Sequence, residues 1–286
     1  MYLAANTFVH EVARVSLKQT LQSVQRFGFR YVDFASYRLV DPSVMSRPAL
    51  REFVRAFKDH GFVSSQLIMV NTHHMASPDP AKRSRAIDYM KACGELQREL
   101  GGKQVLVCWG CGVLEPTVSR EQSWLNTVSS LRAFGEWALE AGVLVGLELD
   151  PHVYFVLNSL EKMAKVLEDV DLPNVYPNVD IGHLCITREP PKTLAKIRDR
   201  IYHVHLSETD TFAHTNSIIG SGSADFKAYV DKVEELGIEE NCRRIGEVPV
   251  AGIEMGEPGG EVDDPDRWIR ESLEYLRRVL PGLRLE

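Results

Sequence analysis

Strand-like and helix-like segments alternate eight times along this chain, with few residues between them. YLAANTF leads to SLKQTLQSVQRFG, YVDFAS to RPALREFVRAFKDHG, and VSSQLIMVN to PDPAKRSRAIDYMKACGELQRELG. KQVLVCWG precedes SREQSWLNTVSSLRAFGEWALEAG, VLVGLELD precedes SLEKMAKVLEDV, and VYPNVDIG precedes PPKTLAKIRDR. IYHVHLSE is followed, after a longer loop, by SADFKAYVDKVEELG, and RRIGEVPVAGIEM by DPDRWIRESLEYLRRVL. Such alternation belongs to the α/β class with a parallel sheet. Eight units in 286 residues predict a single (β/α)8 barrel, the TIM-barrel architecture. A doubly wound open sheet also alternates, but it buries both faces of its strands and makes inward polar residues costly. It would also carry a glycine-rich phosphate turn after the first strand, and none is present.

Punctuation supports these boundaries. Gly28, Gly61, Gly101, Gly142 and Gly237 stand where helices should stop, and Ser77-Pro78-Asp79-Pro80 and Asp264-Pro265-Asp266 where helices should start. No linker or compositional break divides the chain, so residues 1–286 are expected to form one domain. A net charge of -7 and the absence of a Lys/Arg-rich run argue against a nucleic-acid partner. No apolar run approaches the roughly 20 residues of a membrane span, and the start does not read as a secretory signal. Five cysteines, an odd number, do not suggest a disulfide framework, so a cytoplasmic location is the default expectation.

Four of the strand-like segments end in a particular way. Read with period two, Val143, Val145, Leu147 and Leu149 share one face, and Gly146, Glu148 and Asp150 the other. Val179 and Ile181 oppose Asn178, Asp180 and Gly182; Tyr202, Val204 and Leu206 oppose His203 and His205; Ala251, Ile253 and Met255 oppose Gly252 and Glu254. In a barrel these C-terminal strand ends form the active face. Three carboxylates and one imidazole converging there would repel or stay unpaired without a cation between them. Mixed oxygen and nitrogen ligands suit one divalent metal ion, Mn2+ first, with Mg2+, Co2+ and Zn2+ also compatible.

These residues resemble the xylose isomerase-like TIM barrels: the sugar phosphate isomerase/epimerase group with ketose 3-epimerases, inosose dehydratase and endonuclease IV. The specific parts are Glu148 in GLELDPH, the Asp180-x-x-His183 step in VDIGHL, the His203-x-His205 pair in HVHL, and Glu254 in GIEM. The resemblance implies that Glu148, Asp180, His205 and Glu254 bind one divalent metal. It implies that Glu148 and Glu254 also serve as acid and base, and that His183 touches a substrate oxygen. It departs from the ketose 3-epimerases at Thr211, where those enzymes carry an arginine, and at Tyr154, where they tend to carry a glutamate. The substrate grip therefore differs while the metal and acid/base set is kept.

Other residues carry weaker readings. His152, four residues beyond Glu148, should sit just above the barrel mouth as a catalytic or merely exposed group. His73 and His74 follow the third strand, and at most one should reach the pocket. His214, in the long loop after strand seven, reads as a substrate contact or a solvated loop residue, and Trp109 as a sugar-facing wall or core. His203, one layer below His205, reads as support for the ligands or as core. The Cys108-x-x-Cys111 pair reads as packing and pocket lining rather than redox or zinc chemistry. Gly220-Ser-Gly222 reads as an anion-holding turn or an ordinary one.

The expected activity is proton abstraction next to a carbonyl of a sugar or keto-polyol, with a metal acting as Lewis acid. Isomerase or epimerase is the first reading. A lyase using the same enolisation is the alternative, either a dehydratase or a β-eliminating C-glycoside-cleaving enzyme. An endonuclease IV-like phosphodiesterase comes last, with Asp33 and His73 or His74 as possible remnants of its extra metal ligands. The expected partners are a small carbohydrate or polyol substrate and a second copy of the chain. A small partner subunit is expected if the reaction is C-glycoside cleavage.

Overall fold

The computed structural model describes residues 1–257 and 260–286. Among the described residues, nine parallel strands form one sheet: β1 (Tyr2–Asn6), β2 (Tyr31–Ser36), β3 (Val63–Met69), β4 (Gln104–Val107), β5 (Leu144–Leu147), β6 (Val175–Pro177), β7 (Val179–Asp180), β8 (His203–Ser207) and β9 (Val250–Glu254). Their order is β6-β5-β4-β3-β2-β1-β9-β8-β7. The two ends of that series, β6 and β7, are consecutive halves of one stave. Val175–Pro177 pairs with β5, whereas Val179 and Asp180 pair with β8. Asn178 is the switch, its backbone N–H still bonded to Leu147 O at 2.8 Å. The eight expected units are thus an α/β TIM barrel whose sixth stave changes neighbour halfway along.

The helices pack outside the staves through one large apolar cluster that includes Phe34, Phe53, Phe57, Met69, Met90 and Phe134, all almost fully buried. Ser16, Ser46, Asp79, Ser119, Ser159 and Asp264 cap their helices as acceptors of N–H groups in the first turn. The five expected glycine stops lie at helix ends with φ between 70° and 86°.

Three segments depart from the sequence reading. PPKTLAKIRDR forms a 3-10 helix over Pro191–Arg200 rather than an α-helix. Its short turns bury Leu194 and Ile197, and Ile197, at φ -126° and ψ 15°, breaks the helix ahead of Arg200. Arg243 and Arg244, read as the start of the last strand, end the helix Ile238–Arg244, and the strand begins only at Val250. A short helix, Phe8–Val12, follows β1 and brings Phe8 to the barrel mouth.

The barrel interior is polar below the mouth, and most of its groups are paired with one another. Asp33 stands 3.0 Å from His203 Nε2 and accepts from Ser65 Oγ at 2.7 Å, with both members of the pair fully buried. Burial pushes the Asp33 carboxyl upward, but His203, His205 and Ser65 outweigh it and hold the group below its ordinary value. Gly252 makes room for this pair, since a Cβ there would meet Asp33 Oδ2 at 1.9 Å. Gly252→Ala is therefore expected to displace Asp33 and lower stability by about 3 kcal/mol, the scale for breaking a buried ion pair. Denaturant unfolding checks this; an unchanged midpoint would mean that Asp33 has another place to go.

Candidate metal centre and active site

Each of the four residues arrives at the mouth for a local reason. Glu148 follows β5, where its backbone N–H bonds Val107 O and its side chain is 4% exposed. Asp180 ends β7 and caps the helix Ile181–Ile186: Oδ1 accepts from His183 N at 2.8 Å and from Ser207 Oγ at 2.6 Å. His205 lies mid-strand in β8, and Glu254 closes β9. One ligand atom from each of Glu148, Asp180, His205 and Glu254 lies within 4.8 Å of all the others.

His205 is the centre of this group. Its Nε2 donates to Gln66 Oε1 at 3.0 Å. Its Nδ1 faces Glu254 Oε2 at 2.6 Å, Glu148 Oε1 at 3.2 Å and Asp180 Oδ2 at 4.0 Å. None of these approaches has hydrogen-bond alignment, so Nδ1 of His205 and Oδ2 of Asp180 are buried without a partner. Burial pushes the Glu148 carboxyl upward from its ordinary value, ahead of the opposing pull of His205. Burial also pushes Asp180 upward, but His183 and His205 outweigh it and hold that carboxyl low. Two unpartnered ligand atoms, a nitrogen and a carboxylate oxygen, fit a divalent cation bound by oxygen and nitrogen.

The glutamates are further held by amides. Asn178 Nδ2 donates to Glu148 Oε1 at 2.9 Å, Asn6 Nδ2 to Glu254 Oε2 at 3.2 Å, and Asn216 Nδ2 to Glu254 Oε1 at 3.3 Å. Sequence reading placed Asn178 on the inward face but gave it no role. Asn6 and Asn216 had no signal beyond being polar near a strand end or in a loop.

Above the centre lies a cavity of about 80 Å³. Staves one to four supply a largely apolar side, with Phe8, Ile68, Val70 and Trp109; the loop after β5 adds Tyr154 and Phe155. Later staves supply Glu148, Asp150, His152, His183, His214, Asn216, Glu254 and Glu257. His183 Nδ1 donates to Leu149 O at 2.6 Å, and its Nε2 meets His214 Nε2 at 2.5 Å. Burial lowers the His183 pKa, but Asp180 and the other carboxylates around it raise it to about 10. His214 Nδ1 stands 2.9 Å from Glu257 Oε2.

The sequence-derived candidates therefore separate. His152, His183, His214 and Trp109 line the cavity; the His152 ring stacks on Tyr154, with centroids 5.3 Å apart. His73 does not line it. The 3-10 helix His73–Ala76 turns His73 and His74 into a separate groove with Lys82 and Arg85. Asp33 lies in the barrel interior beneath His205, 3.8 Å from its Nε2, rather than beside any second group at the mouth. Cys108 lines the cavity and Cys111 is fully buried; both are free thiols pushed up by burial. Gly220 N donates to Glu208 Oε2 at 2.7 Å, so the turn's amide is taken by the protein's own carboxylate. Glu208 also accepts from Thr209 N and Ala224 N, each at 3.0 Å, and so ties down the loop that carries His214 and Asn216. Among the described residues no helix is long and apolar enough to cross a membrane.

Comparison with known proteins agrees with this architecture. The chain is 24% identical over 234 residues to L-ribulose 3-epimerase of Mesorhizobium japonicum, covering 80% of this chain and 75% of that protein. It is 24% identical over 212 residues to fructoselysine 3-epimerase of Escherichia coli O157:H7, covering 73% and 72%. Among solved structures, a D-tagatose 3-epimerase-like protein superposes with a TM-score of 0.79 at 20% identity, over 99% and 98% of the two chains. An IOLI protein with a bound zinc atom gives 0.78 at 19% identity, over 99% of each chain. The family profile described as xylose isomerase-like TIM barrel matches residues 21–279, and with nearly the whole barrel inside that match, this chain belongs to the xylose isomerase-like TIM barrel family.

Proposed function

We propose that this chain is a divalent-metal-dependent sugar isomerase or epimerase that moves a proton on the carbon next to a carbonyl. The observation that carries it is the group of ligand atoms from Glu148, Asp180, His205 and Glu254 within 4.8 Å of one another, two of them buried without a hydrogen-bond partner. The curated relatives, an L-ribulose and a fructoselysine 3-epimerase, support a sugar substrate. Glu148, Asp180, His205 and Glu254 would hold the ion, and Mn2+ suits their mixed oxygen and nitrogen set. Bound there, a divalent cation supplies Lewis acidity that stabilises negative charge on a substrate oxygen.

The chain's own residues supply the rest. Glu148 and Glu254, on separate staves, are the acid and base, one taking and one returning the proton. Burial raises the Glu148 carboxyl above its ordinary value, the direction that suits a base which must hold and then release a proton. Asn178, Asn6 and Asn216 hold the two carboxylates in position. His183, anchored at Leu149 O with its Nε2 against His214 Nε2, lines the cavity together with His214, and the pair would meet a substrate oxygen there. His152 rests on Tyr154 at the rim and would contact the far end of the substrate. Phe8, Ile68, Val70, Trp109 and Phe155 exclude water from the reacting end. Among the described residues no lysine or arginine lines the cavity, which favours an uncharged sugar over a sugar phosphate.

The test is deuterium incorporation from solvent, followed by NMR, with Mn2+-loaded protein and a panel of ketoses, keto-polyols, 3-oxo-glycosides and ketose phosphates. Label in a product of unchanged composition is expected from a neutral ketose. Release of water or an aglycone would instead identify a lyase. Turnover without C–H cleavage would end the proton-abstraction reading.

A further inference from the structure

We propose that Gln66 and Asn178 form a buried amide relay that positions His205 and Glu148 as one unit. In this relay His205 keeps Nε2–H turned to Gln66 and Nδ1 turned to the carboxylates, while Glu148 Oε1 is held beside it. The proposal rests on the metal-centre reading only for the use to which this geometry is put.

The relay has a direction, and each bond fixes the next. Tyr176 OH donates to Gln104 Oε1 at 2.8 Å, which leaves its oxygen to accept from Gln66 Nε2 at 3.2 Å. Gln66 Oε1 therefore faces the other way and accepts from His205 Nε2 at 3.0 Å. The second hydrogen on Gln66 Nε2 points to Asn178 Oδ1 at 3.4 Å, so Asn178 Nδ2 donates to Glu148 Oε1 at 2.9 Å. Turning the Gln66 amide over would set its oxygen against Asn178 Oδ1. Turning Asn178 over in response would set an oxygen against the Glu148 carboxylate. Glu148 Oε1 accepts from Asn178 Nδ2, so that bond fixes the polarity of the whole chain. Gln66 is fully buried and Asn178 is 2% exposed, so water does not compete for these bonds.

Two backbone irregularities put the amides there. The pairing of β2 with β3 runs Val32 to Ser64 and then Asp33 to Gln66, leaving Ser65 as an extra residue. This bulge lets consecutive side chains serve the interior: Ser65 Oγ bonds Asp33, and Gln66 reaches Tyr176, Asn178 and His205. Asn178 sits at the break between β6 and β7. The switch at Asn178 joins the two edges of the sheet, and the same residue turns its amide to Glu148; the bulge at Ser65 places Gln66 beside it.

The experiment uses the full chain, metal-free and then titrated with Mn2+, comparing wild type with Gln66→Met and Asn178→Ala. Wild type is expected to show a solvent-protected His205 Nε2–H resonance before metal is added, and Gln66→Met to lose it. Each variant is expected to bind Mn2+ about 10- to 100-fold more weakly, the scale for groups that orient metal ligands. The double variant should lose less than the product of the two factors, because the amides act in series. Melting of the metal-free proteins separates this from general loosening, and Asn178→Ala tests the second link should Gln66→Met not fold. Wild-type Mn2+ affinity and an intact Nε2–H resonance in Gln66→Met, or unchanged affinity in both variants, would overturn the relay. A wild type with the protected resonance but no Mn2+ binding would support the relay and sink the metal centre instead.

Discussion

Asp180→Asn and His205→Ala are expected to lose divalent-metal binding, each by well over about 100-fold in Mn2+ affinity. Removing a group that only orients a ligand costs about 10- to 100-fold, so removing a ligand itself must cost more. The two changes act differently. Asp180→Asn keeps the shape of the side chain, and its amide can still cap the helix Ile181–Ile186 through the oxygen, so the fold should survive. What disappears is the anionic Oδ2 that has no partner inside the protein. His205→Ala removes the group closest to the three carboxylates and leaves Glu148 and Glu254 without the imidazole between them. Without metal that variant should become less stable as pH rises, because three carboxylates, two of them buried, then face one another while ionised. Elemental analysis and calorimetric titration measure occupancy directly. Thermal melting gives a second readout, since metal at 100 times its Kd adds about 2.7 kcal/mol to the wild type. Full occupancy in both variants would remove the metal centre from the account.

The four candidate ligands were legible in the sequence because a strand exposes its logic with period two. Glu148, Asp180, His205 and Glu254 each stand among alternating apolar residues, at or near the end of a stave, where a barrel has its mouth. The groups that hold the ligands were not legible, because they depend on exceptions to that period. Gln66 is in phase with Ile68 and Val70, which line the cavity, but the bulge at Ser65 puts two consecutive polar residues inside and hides that phase from a period-two reading. Asn178 acquires its role from a switch of partner within one stave, which pairing alone reveals. His214 and Asn216 reach the cavity because Glu208 gathers three backbone N–H groups of its own loop. His73 seemed as well placed in sequence, but a single 3-10 turn carries it elsewhere. The ends of staves are fixed by local pattern, whereas loop side chains are aimed by contacts far apart in the chain.

The largest effect on chemistry is expected from Glu148→Gln and Glu254→Gln. Each should depress solvent exchange at the substrate C–H by about 10² to 10⁴-fold, the usual contribution of a positioned acid or base. The amide keeps the size of the carboxylate and one oxygen, so it removes proton transfer more completely than it removes shape. The two should not be equivalent. Glu148 is nearly fully buried, accepts from Asn178, and has its pKa raised by burial, whereas Glu254 is partly exposed and bonded to Asn6 and Asn216. A Gln at 148 also meets the Asn178 amide, whose NH2 then demands the oxygen and turns the new NH2 toward His205. Glu148→Gln should consequently lose metal as well as exchange, while Glu254→Gln should retain more of its metal and still fail to exchange. Occupancy and deuterium incorporation measured in the same samples separate the two losses. If both variants exchange at the wild-type rate with metal bound, neither glutamate handles the proton, and the cavity would have to be read as a binding site or a hydrolase.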